Sequence, residues 1–120
     1  FCYSPLIFAE LWKAKELLVE NNINPKLISF PWLNKFSLNW IKGQIKDFRH
    51  VITIDDHYIE GGFGEKFIAN IIKNLDISST KLSSIGIDEI PQSGTNEEVI
   101  DYHGLSSSKL AQRIINLIKS

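Results

Sequence analysis

The sequence has no methionine, a single cysteine (Cys2) and only two arginines, Arg49 and Arg113, beside eleven lysines. One cysteine cannot close an internal disulfide, which excludes a disulfide-stapled scaffold and makes a reducing, cytoplasmic setting the expectation. The basic residues form no stripe and the net charge is −1, which argues against nucleic acid as a partner. No apolar run approaches the roughly 20 residues that cross a bilayer, so no membrane span is expected, and no signal peptide is readable at the start. The chain opens at Phe1-Cys2-Tyr3 without an initiator methionine, and these residues already read as the tail of a strand. A piece of a longer polypeptide is therefore the expectation. What remains is 120 residues, 43% hydrophobic and 22% charged, a composition that suits one globular domain over 1–120 with a real core.

The stretch from Val51 to Glu65 organises the rest. Val51-Ile52-Thr53-Ile54 is a short β-branched run, the pattern of a buried strand. Asp55-Asp56-His57 follows, then Gly61, Gly62 and Gly64 within four positions. From Phe67 the apolar residues Phe67, Ile68, Ile71, Ile72 and Leu75 recur at the helical period. Strand, acidic loop, glycine turn and helix make one half of a βαβ unit.

The flanks repeat that unit. Ser4-Pro5 is an N-cap followed by proline at the first helical position, and the helix is expected to reach about Glu20. Its stripe is Ile7, Leu11, Ala14 and Leu18, with Phe8, Trp12 and Val19 on a second apolar flank. Leu27–Phe30 reads as a strand, and Ser37 is placed to cap a helix carrying Leu38, Ile41, Ile45 and Phe48. Lys81–Ile87 reads as another strand. Thr95-Asn96-Glu97-Glu98 has the form of a capping box, with Gly104 as a helix stop and Ser106–Ser108 capping a last helix. Alternating strands and helices predict a three-layer α/β/α sandwich with a mainly parallel sheet of about four strands. Ligands of such sheets sit beyond the carboxyl ends of the strands, here near Ser4-Pro5, Pro31–Lys35, Asp55–Gly64 and Asp88–Gly94.

Several residues along that edge could carry chemistry. Gly61, Gly62 and Gly64 at a helix start could offer free N–H groups to an anion, but they lack the spacing of dinucleotide sites and P-loops. A tight turn with close helix–sheet packing is the simpler reading. Asp55, Asp56, His57 and Glu60 could gather a divalent cation or act as an acid–base pair, against the plainer reading of polar residues facing water. His103 is placed at a helix C-terminus and His50 on the surface before a strand, while Cys2 falls in a buried strand with nothing to activate it. Trp12, Trp32 and Trp40 suit an interface or the core equally. No self-sufficient catalytic constellation emerges from the residues.

Two blocks in order carry a specific resemblance. Val51-Ile-Thr-Ile-Asp-Asp-His with Gly61-Gly-Phe-Gly-Glu, and Ile90-Pro-Gln-Ser-Gly-Thr-Asn-Glu-Glu-Val-Ile-Asp-Tyr-His-Gly-Leu105, are similar to segments of the C-terminal domain of transketolases and related thiamine-diphosphate enzymes. The likeness covers essentially the whole chain. It implies a structural and assembly domain of an enzyme that moves a two-carbon ketol unit between sugar phosphates. Thiamine diphosphate and a divalent metal would be held by other domains, usually across a dimer interface, and no cofactor by this chain. Partners would then be the other domains or subunits of the parent enzyme, a homodimer. The family's sheet begins with an antiparallel strand, which here would lie before Phe1. No catalytic, cofactor or metal residue is carried over; Asp55, Asp56, His57, Gly61, Gly62 and Gly64 carry over only as motif positions. The alternatives are the matching domain of a 2-oxoacid dehydrogenase beta subunit or a deoxyxylulose phosphate synthase, or a free-standing anion-binding or protein-interaction module.

Overall fold

The computed structural model describes all 120 residues. Two strands form a parallel ladder, β1 (His50–Tyr58) and β2 (Lys81–Ile87). The sheet continues on the other side of β1 through single parallel bridges, Ile54 to Cys2 and Cys2 to Ser29. Four parallel backbone segments thus lie in the order Leu27–Phe30, Phe1–Tyr3, β1, β2. The first two are too short to register as strands, yet they carry the hydrogen bonds of strands. Cys2 N–H donates to Ile28 O at 2.8 Å, Phe30 N–H to Cys2 O at 2.8 Å and Ile54 N–H to Phe1 O at 2.8 Å.

Helices cover both faces. α1 (Pro5–Glu20) and α5 (Ser107–Lys119) pack on one face, where Ile7, Leu11, Leu18, Leu110 and Ile114 meet Cys2, Ile54 and Ile85. α2 (Leu38–Ile45) and α3 (Phe63–Asn74) cover the other, where Ile41, Ile45, Phe63, Phe67 and Ile71 meet Phe30 and Val51. The alternation of β1 explains the division: Val51 and Thr53 point to the α3 side, Ile52 and Ile54 to the α1 side. This is the expected α/β/α sandwich. Between β2 and α5 lies a short helix, α4 (Asn96–Tyr102), opened by the expected capping box: Glu98 N–H donates to Thr95 Oγ1 at 3.3 Å and Thr95 N–H to Glu98 Oε2 at 3.0 Å.

Several local expectations need correction. The acids do not begin a loop: β1 runs through Asp55, Asp56 and His57 to Tyr58, with a break in register between Ile54 and Tyr58. Backbone pairing to β2 continues there, so the polar residues ride on a strand whose far end is solvated. α3 begins at Phe63, at the expected glycine turn, but its buried stripe already starts with Phe63, and Ile72, expected on that stripe, is exposed. Neither Ser37 nor Ser106 donates or accepts a side-chain cap bond at its helix; Ser106 instead donates to Asp101 Oδ1 at 2.8 Å.

The amino end of the sheet holds a cavity of about 310 Å³ between α1, α5 and the strand starts, lined by Leu18, Leu27, Phe48 and Ile52 among others. The backbone nitrogen of Phe1 faces it and donates to Ile52 O at 2.8 Å.

Candidate functional site

The order of the sheet places the first crossover, through α1, on one side of the Phe1–Tyr3 segment and the connection back to β1 on the other. The point where the winding reverses lies between Tyr3-Ser4 and the end of β1, at the carboxyl edge, where open α/β sheets bind ligands. Ser4 and Asp56 meet there. Ser4 is the N-cap of α1, accepting from Ile7 N–H at 3.4 Å, and its hydroxyl donates to Asp56 Oδ2 at 2.8 Å. Asp55 lies beside them, buried, its Oδ1 accepting the Asp56 N–H at 2.8 Å. Its Oδ2 is sealed from water and has no hydrogen-bond partner. Burial pushes the Asp55 carboxyl above its ordinary value of 3.8, and the Asp56 carboxylate adds to that push; the Asp56 N–H and the charge of His57 oppose it.

Ligand atoms of Asp55, Asp56 and His57 lie within 4.8 Å of one another. Their lone pairs, however, serve the fold. One Asp55 oxygen takes a backbone N–H, the other is closed off, and Asp56 takes the Ser4 hydroxyl. His57 is exposed, with Nε2 at 3.7 Å from Asp56 Oδ1, a charged pair only when the ring is protonated. Ser4 is itself buried and Cys2 is fully buried, with burial pushing its thiol up to about 11. The arrangement presents no accessible nucleophile with a base beside it.

The glycine turn has a clear mechanical role. Gly61 adopts φ +73°, a left-handed conformation that disfavours a side chain. A Cβ on Gly62, the N-cap of α3, would collide with the carbonyl oxygen of Tyr58. On Gly64 it would lie 2.5 Å from both Thr53 Oγ1 and Ser84 Oγ, which are hydrogen-bonded to each other at 2.8 Å across β1 and β2. Gly64 therefore lets the first turn of α3 sit directly on the sheet. The opening turn is also internally satisfied in part: Gly61 N–H donates to Glu65 Oε2 at 2.7 Å and Gly62 N–H to Ile59 O at 3.2 Å. An anion arriving here would have to displace the Glu65 carboxylate.

The structure thus brings Asp55 and Asp56 to the switch point and Gly61, Gly62 and Gly64 to the adjoining helix start. Glu60 is exposed and His50, the first residue of β1, lines the cavity at the opposite edge. His103 caps α4 but turns its ring inward, so its dipole role gives way to a packed one. Trp12, Trp32 and Trp40 are exposed, although Trp40 stacks against Phe30. Thr53, Ser84 and Glu65 also shape this site. Their signal was weak: two small hydroxyls on one face of adjacent strands opposite a glycine, and an acid four residues beyond Gly61.

Comparison with known proteins agrees with this geometry. Residues 6–110 match the family model of the transketolase C-terminal domain. A Methanocaldococcus jannaschii protein described as a transketolase C-terminal section is 33% identical over 111 residues, 92% of this chain and 34% of that one. Human transketolase is 26% identical over 110 residues, 91% of this chain but 17% of its own length. A solved structure described as a split gene transketolase, an inactive beta4 tetramer, superposes with a TM-score of 0.80 over 98% of this chain and 37% of that one, at 13% identity, a likeness of fold. The chain spans about a third of the M. jannaschii relative and less of the human one. Its sequence and fold place it in the transketolase C-terminal domain family.

Proposed function

We propose that this chain is the supporting third domain of a transketolase-type enzyme, which transfers a two-carbon ketol unit between sugar phosphates in the cytoplasm. Thiamine diphosphate and its divalent metal are held, in this reading, by domains outside residues 1–120, and the chain works as part of a homodimer. The observation that carries the proposal is the match of residues 6–110 to the C-terminal domain of that family, over about a third of a longer relative. The geometry agrees with it. At the switch point the Ser4–Asp56 hydrogen bond ties the start of α1 to the end of β1, as a scaffold requires, and Gly64 lets α3 sit directly on the sheet.

Two measurements test it. Calorimetric titration of the chain with thiamine diphosphate and magnesium is expected to show no saturable heat. Adding the chain to a human transketolase lacking its own C-terminal domain is expected to yield a stable complex by sedimentation. Micromolar cofactor binding by the chain alone, or ketol transfer by it alone, overturns the proposal; so does failure to associate. The anion-binding alternative predicts instead that inorganic phosphate shifts the backbone amides of Gly62 to Glu65.

A further inference from the structure

The segment from Asp88 to Glu98 crosses the carboxyl edge of the sheet, and every one of its residues is exposed, with Ile90 at 79%. It is nevertheless tied down from beneath. His103, at the end of α4, has a side chain only 1% exposed, and its Nε2 accepts a hydrogen bond from the Gln92 N–H at 3.3 Å. A ring nitrogen that accepts a backbone N–H carries no proton, so this bond requires a neutral imidazole with its hydrogen on Nδ1. The groups facing the ring are few. Glu89 on the loop places Oε1 at 3.8 Å from Nδ1, beyond hydrogen-bonding distance. Arg113 on α5 donates to the carbonyl oxygens of His103 at 3.1 Å and Gly104 at 3.5 Å. Tyr102, its neighbour in α4, lies edge-on at 5.0 Å between ring centroids.

We propose that His103 is a proton-operated latch for the 88–95 loop: the neutral ring holds Gln92 down, and the imidazolium releases it. Protonating Nε2 turns the acceptor into a donor aimed at another donor. The bond to Gln92 is then lost, and the new cation sits in a buried site that already contains Arg113 on its backbone side. Glu89 Oε1 lies 3.8 Å from Nδ1, on the other side of the ring from Nε2, so its attraction to the charged ring does not replace the bond to Gln92. The capping box at Thr95 and the parallel ladder at Ile87 contain no titrating partner of the ring, so they hold the two ends of the loop while its middle lifts. The latch thus makes one of the loops at the ligand-facing edge responsive to pH.

The test is nitrogen NMR of the His103 ring together with solvent exchange at the Gln92 amide, followed on the same chain from about pH 8 to about pH 5. The ring is expected as the Nδ1–H tautomer at the upper end. Gln92 protection, corrected for intrinsic exchange, is expected to fall about tenfold with the same midpoint as ring protonation, the effect of losing one hydrogen bond. Protection of Ile54 in β1 is expected to stay constant, which separates loop release from unfolding. His103→Gln supplies an acceptor that does not titrate and should keep Gln92 protected at both ends. An Nε2–H tautomer at pH 8, or Gln92 protection indifferent to the charge of the ring, overturns the proposal from the unsubstituted chain alone. An equal loss of protection in His103→Gln does so independently.

Discussion

Ser4 Oγ donates a 2.8 Å hydrogen bond to Asp56 Oδ2 while accepting the N–H of Ile7, so one buried hydroxyl joins the start of α1 to the end of β1. The residues are 52 apart in sequence and meet where the winding of the sheet reverses. Ser4→Ala removes the helix cap and leaves Asp56 short of a donor, and is expected to cost about 1–2 kcal/mol in urea unfolding. Ser4→Asp keeps a capping oxygen but faces Asp56 with a like charge. It should be less stable than Ser4→Ala at neutral pH and recover in acid. A Ser4→Ala chain as stable as the parent would show that the contact contributes nothing net.

Two glycines on helices make opposite predictions. Nothing lies within 4 Å of a Cβ built on Gly43 in α2, and its backbone is ordinary helix, so Gly43→Ala should stabilise the chain by about 0.5–1 kcal/mol. A Cβ on Gly64 meets Thr53 Oγ1 and Ser84 Oγ at 2.5 Å, so the hydroxyl pair beneath α3 would have to shift. Gly64→Ala should therefore destabilise by about 2–3 kcal/mol through overpacking. Adding Ser84→Ala in the same chain should recover part of that loss. The comparison of urea midpoints in the three variants decides whether close approach or backbone freedom explains the glycine.

The parts of this fold that could be read from sequence are those set by local chemistry. The serine–proline start of α1, the capping box at Thr95 and the glycine stop at Gly104 depend on a few adjacent residues, and each appears where expected. The parallel order follows from alternation of elements and the handedness of crossovers. The acids of β1 read as a loop because charge normally ends a strand, whereas pairing to β2 carries the backbone on past them. The partners of Asp56 and Gly64 were invisible for a different reason. Ser4, Thr53 and Ser84 become neighbours only through the register of the sheet, and no spacing in the sequence encodes that register.

Cys2 offers a kinetic check on burial. Its side chain is fully enclosed, its thiol donates to Ser4 O at 3.3 Å, and burial pushes its pKa up to about 11. Since the thiolate is the reacting form, both access and ionisation oppose alkylation. Iodoacetamide at about pH 8 is expected to modify the native chain at least about 100-fold more slowly than the urea-unfolded one. Rapid labelling of the folded chain would contradict the central position of Phe1–Tyr3 in the sheet.

Asp55 sets the direction of the pH dependence. Burial holds its folded carboxyl above the value of 3.8 that applies when it is solvated. Over the interval between those two values the folded state keeps a proton that the unfolded state has released. Stability therefore falls as pH rises through that interval, opposite to the behaviour of a salt-bridged acid. Asp55→Asn imitates the protonated form: one oxygen still accepts the Asp56 N–H, and the amide nitrogen replaces the oxygen that has no partner. The variant is expected to match the parent at about pH 4 and to exceed it at neutrality, because the amide carries no buried charge. Urea unfolding at both pH values measures the difference. A gap that is constant with pH would assign the effect to packing alone. A variant that is less stable only at neutral pH would mean that the ionised carboxylate is the favoured form, and that its second oxygen finds a partner in solution.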